Sequence, residues 1–108
     1  MRDYLLKIKE ESNSRLMDEV IDIVLAETDG TNEGVKDYLE NVLAYGCQSG
    51  FVKSLIYYTD TRAFFMRHFE EIFDIINENE FKLEELSSNE LAWLGFEYIA
   101  QELYEMVV

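Results

Sequence analysis

This chain of 108 residues has no proline, five glycines, one cysteine and one histidine, and only nine Lys+Arg stand against 23 Asp+Glu. Each shortage excludes something. Without proline, only glycine and side-chain caps remain to end a helix. A single cysteine, Cys47, cannot close an internal disulfide, which points to a reducing cytoplasm. One histidine is too few for the paired His-x-x-Glu motifs of a four-helix di-iron bundle. No run of about 18 apolar residues is present, so no membrane-spanning helix is expected. The first nine residues alternate charged with apolar groups and lack the apolar stretch of a signal peptide. The shortage of cations leaves a net charge of -14, which repels phosphate backbones and makes direct DNA or RNA binding an unsuitable role.

What is present is apolar material and negative charge. Hydrophobic residues make up 48% and aromatics 14%, too much to leave in water, so the chain is expected to fold. The charge falls in blocks. Residues 1–17 hold four basic and three acidic groups, net +1; residues 18–50 hold one basic and eight acidic, net -7. Residues 51–69 hold three basic and one acidic, net +2; residues 70–108 hold one basic and eleven acidic, net -10. Self-repulsion on this scale opposes compaction, so the blocks suggest either solubility or a basic partner.

Apolar spacing predicts an all-α, single-domain bundle of about five helices covering residues 1–108. Tyr4, Leu5, Ile8, Leu16, Met17, Val20, Ile21, Val24 and Leu25 recur at three- and four-residue steps. Ser12-Asn-Ser14 either interrupts that run or recaps it. A turn is expected at Thr28–Thr31, then a helix over 32–45 with Val35, Tyr38, Leu39, Val42 and Leu43 inward. Gly46 and Gly50 bracket a break, and a short helix is expected from Ser49 or Gly50 to Tyr57. Thr59-Asp-Thr61 reads as the start of another helix, whose apolar face is Phe65, Phe69, Ile72, Phe73 and Ile76. Asn77-Glu-Asn79 closes it, and 81–86 connects onward. Ser87-Ser-Asn-Glu90 has capping-box spacing and opens a final helix to about Met106. That helix is apolar nearly all round, so it is either central or shared with a second copy.

Three constellations could carry chemistry. Asp29 to Glu40 has the acidic spacing of a calcium-binding EF-hand loop, with Gly34 at the turning position. Thr31, Glu33 and Lys36 depart from that pattern, and a plain turn followed by a helix start is the simpler reading. Cys47 and His68 are the candidates for a thiol–imidazole pair, although nothing brings them together, and a structural cysteine is the simpler reading. His68 and Glu71 supply two metal ligands where a site needs more; a partly exposed His68 beside acidic groups is the alternative. No phosphate loop, dinucleotide motif or metalloprotease helix occurs. No catalytic residues, metal or cofactor are therefore assigned, and the chain is not read as an enzyme.

The acidic rows remain. Glu70, Asp74 and Glu78 recur every fourth residue, which places a carboxylate about every 6 Å along one helix edge. Glu71 flanks them, and Asp18 and Asp22, with Glu19, form a second patch. A row of fixed carboxylates can occupy a basic groove built for a phosphate backbone. Between the blocks, Tyr57, Tyr58, Arg62, Phe64 and Arg67 are residue types that anchor interfaces; Phe65 and Phe69 are expected inside and Tyr57 or Tyr58 partly exposed.

Two stretches carry a resemblance: Ala44-Tyr-Gly-Cys-Gln-Ser-Gly50 continuing to Leu55-Ile-Tyr-Tyr58-Thr-Asp60-Thr61, and Leu91-Ala-Trp-Leu-Gly-Phe96-Glu97. Together they resemble a family of small acidic proteins carried by phages and mobile elements of gut bacteria. The resemblance implies no catalytic residues. It implies a setting in which such proteins disable host defences, including restriction and CRISPR systems. The expected function is then a non-enzymatic inhibitor in the bacterial cytoplasm. Its partner would be a basic host defence nucleoprotein, met by Asp18, Asp22, Glu70, Glu71, Asp74 and Glu78 with Tyr58 as an anchor. The alternative is a helical adaptor or regulator that forms a homodimer through its C-terminal helix.

Overall fold

The computed structural model describes residues 1–45, 61–78 and 88–108; of Tyr45, Thr61, Ser88 and Asn89 only the backbone is described. The described residues form five helices and no strand: α1 (Arg2–Glu11), α2 (Arg15–Glu27), α3 (Asn32–Tyr45), α4 (Thr61–Glu78) and α5 (Ser88–Val107). The predicted short helix over 49–57, the connector 81–86 and Cys47, Tyr57, Tyr58 and Ser87 lie outside them. The Cα radius of gyration is 13.2 Å, against about 13 Å for a compact chain of this length.

The first two breaks are made by side chains and one glycine. Ser12 to Ser14 both ends α1 and restarts the chain as α2. Ser14 has extended backbone, and its Oγ accepts from the Met17 amide at 3.0 Å, which satisfies one of the free amides of the first turn. At the next turn Gly30 adopts φ 77°, a left-handed conformation that favours glycine. Its carbonyl accepts from the Arg2 amide at 3.2 Å, tying the start of α1 to the α2–α3 turn.

All five helices contribute to one core. Leu5, Leu16, Val20, Ile21, Val24, Val35, Leu39, Val42, Ile72 and Leu103 are among its most deeply buried side chains. Each such burial contributes about 1.5–3 kcal/mol relative to exposure. The nearly all-round apolar character of α5 follows from its position, since it packs against α2, α3 and α4. Leu91, Trp93, Phe96, Ile99 and Leu103 are buried, and Trp93 stacks on Phe96 with ring centroids 5.7 Å apart. Gly95 is placed where α4 crosses α5: an added Cβ would stand 2.7 Å from Ile72 Cγ1.

The inward face of α4 differs from the expected one. Phe69 is 41% exposed rather than inside, and Phe64, read as an interface candidate, is buried. The physical reason is the burial of His68, which pairs with Glu19 of α2; its backbone, φ -124° and ψ 17°, is not helical and marks a kink. Phe64, His68, Ile72 and Ile76 recur every fourth residue with Ile75 beside them, so one inward stripe runs through His68. Phe65 and Phe73 are partly buried and meet edge to face, and Phe69 packs on Phe73 from the outside.

Candidate functional site

The functional candidates fall on two connected features, a polar seam between α2 and α4 and an acidic row beyond it. The seam begins at the start of α2. Glu71, one turn past the kink, turns inward instead of flanking the row. Its carboxylate accepts from the Leu16 amide at 3.2 Å and from the hydroxyl of Ser14. A carboxylate from α4 thus completes the cap of α2, where the free amides and the helix dipole both favour negative charge.

One turn further along α2, Glu19 faces the kink itself. One carboxylate oxygen takes a guanidinium N–H of Arg67 and the other pairs with His68 Nε2. His68 is buried rather than partly exposed, with its ring edge-on to Phe64 at 5.0 Å. His68 Nδ1 and Asp18 Oδ1 are buried and have no hydrogen-bond partner among the described residues. Asp22, on the outer side, pairs with Lys9 of α1 at 2.6 Å, and that contact raises the lysine's pKa. Arg15, Asp18, Glu19, Asp22, Arg67 and His68 line a shallow cleft of about 390 Å³ over this seam.

His68 and Glu71 therefore do not converge on a shared ion; each has its own partner on α2. The Asp29–Glu40 segment is not shaped as a calcium loop either. Helix α3 starts at Asn32, Gly34 lies within it, and the positive φ falls at Gly30. Asp29 Oδ1 accepts from the amide and the hydroxyl of Thr31 at 3.0 and 2.7 Å. These bonds hold its carboxyl below the usual carboxylate range. Among the described residues, no group of three His, Cys, Asp or Glu side chains is arranged to hold a metal ion.

Beyond the kink, Glu70, Asp74 and Glu78 are all exposed, and none is in a salt bridge with a described residue. The row continues onto α5. Glu102 has its carboxyl pushed up, first by burial and then by the nearby charges of Glu105 and Glu78. Gln101 donates to Glu105 at 3.2 Å, which keeps that carboxylate on the same surface. Glu102 and Glu105 were missed in the row at the level of sequence. The density of acid in residues 70–108 was their only trace, because a contact between two helices has no local spacing signal.

The predicted site residues thus separate. Glu70, Asp74 and Glu78 form one surface, Asp22 and Asp18 sit on the other side of the seam, Glu71 is bonded inward, and Tyr58 lies outside the described residues. Among the described residues no helix is long and apolar enough to cross a membrane. The chain belongs to the family described as the domain of unknown function DUF7222, which it matches over residues 8–107. No curated protein and no solved structure matches it.

Proposed function

We propose that this DUF7222 domain is a non-enzymatic inhibitor. It binds a bacterial nucleic-acid-handling defence protein, a CRISPR effector or a restriction-type enzyme, by laying its acidic surface into the basic groove. The phage or mobile-element setting and the bacterial cytoplasm belong to the same proposal.

The observation that supports it most is the exposed row Glu70–Asp74–Glu78, in no salt bridge with a described residue, with Glu102 and Glu105 beside it. By contrast, the fold bonds Glu19, Asp22 and Glu71 internally. In the row it keeps like charges together, an arrangement that destabilises a helix by a few tenths of a kcal/mol per pair. A basic groove would relieve it. The match to nucleic acid is one of sign and line, not density: a carboxylate about every 6 Å stands against a phosphate about every 3.4 Å per strand. The alternative, a dimer built on the C-terminal helix, draws less support, because the apolar circumference of α5 is taken up by α2, α3 and α4.

The test is displacement of fluorescent DNA from a panel of CRISPR effectors and restriction enzymes, read by anisotropy. At least one member should release its DNA, strongly at about 50 mM salt and weakly at about 200 mM, because the attraction is screened. The combined variant Glu70→Lys, Asp74→Lys, Glu78→Lys should release none. Displacement that ignores both salt and the charge reversal refutes the proposal, as does a panel in which no member releases DNA.

A further inference from the structure

The acidic row follows a bend, and among the described residues the polar bonds at that bend run to α2. Three residues of α4 around the non-helical His68 reach to α2: Arg67 and His68 to Glu19, and Glu71 to Ser14 and the Leu16 amide. The receiving groups occupy the first two turns of one helix. No proline is present to fix the angle at His68 by covalent geometry, which leaves these bonds to α2 as polar contacts that can hold it.

We infer that Glu19 and Glu71 are positioning residues: by clamping the His68 kink of α4 to α2, they fix the direction in which Glu70, Asp74 and Glu78 project. This rests on the proposed use of the row. Neither carboxylate reaches a partner in this arrangement, because each is occupied within the fold. Their separate sites make the clamp directional. Glu19 holds the kink where the helix enters it, and Glu71 holds it one turn later. Losing either leaves α4 attached by its apolar face to α5 but free to pivot about His68. The charges of the row would be unchanged while their line is lost. A rigid row meets a groove at several points without an ordering penalty, and a pivoting one must first be ordered.

The inference can be tested without any partner. Spin labels are placed at two exposed positions outside the seam, Asn41→Cys on α3 and Asn77→Cys at the end of α4, with Cys47→Ser in the background. Pulsed electron paramagnetic resonance then reads the distance between the helices. The parent should give one narrow distribution. Glu19→Gln and Glu71→Gln should each shift or broaden it, with helical circular dichroism retained. Glu70→Gln, which alters the same helix outside the clamp, should leave it unchanged. If Glu19→Gln loses helicity, Arg67→Gln opens the same contact from its exposed end and should broaden the distribution in its place. A distribution as narrow as the parent's in the clamp variants overturns the inference, whatever the DNA-displacement assay shows. A broadened distribution with no displacement activity in the parent sustains the clamp and removes the proposed function alone.

Discussion

Replacing Gly95 by alanine sets two opposing effects against each other, and the structure fixes which is larger. Alanine is favoured over glycine inside a helix by about 1 kcal/mol. Gly95, however, is buried at the crossing of α4 and α5, and its new Cβ would stand 2.7 Å from Ile72 Cγ1 and 3.0 Å from Ile72 Cδ1. Carbon atoms attract best at about 3.5–4.0 Å, so a displacement of about 1 Å is needed. Ile72 cannot supply it cheaply. It is fully buried, and a β-branched side chain in a helix has one strongly preferred rotamer. Forcing it off that rotamer costs about 0.5–1.5 kcal/mol, and separating the helices disturbs the core around it. Overpacking of this kind costs about 1–3 kcal/mol. The net expectation for Gly95→Ala is a loss of about 1–2 kcal/mol, the upper part of the overpacking range less the propensity gain. That corresponds to a fall of roughly 4–8 °C in Tm per kcal/mol for a domain near this size. Urea unfolding followed by circular dichroism measures it. The double variant with Ile72→Ala should lose less than the sum of the two single changes, because the truncation makes room for the methyl group. Gly95→Ala as stable as the parent, or more stable, would refute the close approach.

Ser14→Ala should cost about 2 kcal/mol, the upper end for an N-cap, since it also removes a donor from Glu71; Ser14→Asp, ordinarily an equivalent cap, should fail to restore stability because it faces that carboxylate. Glu102→Gln should stabilise the domain near pH 7. The folded-state pKa of Glu102 is raised, so the native state binds its proton more tightly than the unfolded chain does, and stability falls as pH rises through that range. The variant's urea midpoint should lose this part of the pH dependence; an unaltered profile counts against the burial of Glu102 and its crowding by Glu105 and Glu78. Thr31→Val should return the Asp29 carboxyl toward its ordinary value in an NMR titration. Asp29 is lowered in the fold, so the stability it supplies is present above its unfolded value and lost as pH falls through the folded one. An unmoved titration would count against the Asp29–Thr31 bonds.

Much of the architecture was legible in the order of residues, and the parts that were not share a cause. Helix spacing found α2 and α3 because both present a continuous apolar stripe, with Val20, Ile21 and Val24 on one and Val35, Leu39 and Val42 on the other. Ser14 was readable as a cap because capping is local. The first half of the face of α4 was misplaced by one residue because the pairing that lets His68 be buried has no local marker: its partner Glu19 stands 49 positions away. For the same reason Glu71 read as surface charge although it is bonded inward, while Glu70, Asp74 and Glu78, which depend only on helical periodicity, lie on the exposed edge the spacing indicated.

The carboxylate that closes the start of α2 arrives from 55 residues further along the chain. A helix of 13 residues is marginal alone in water. During synthesis the N-terminal half therefore emerges before the group that finishes its second helix exists. The docking of α4 therefore also completes the first turn of α2, and a fragment of residues 1–45 would lack that carboxylate.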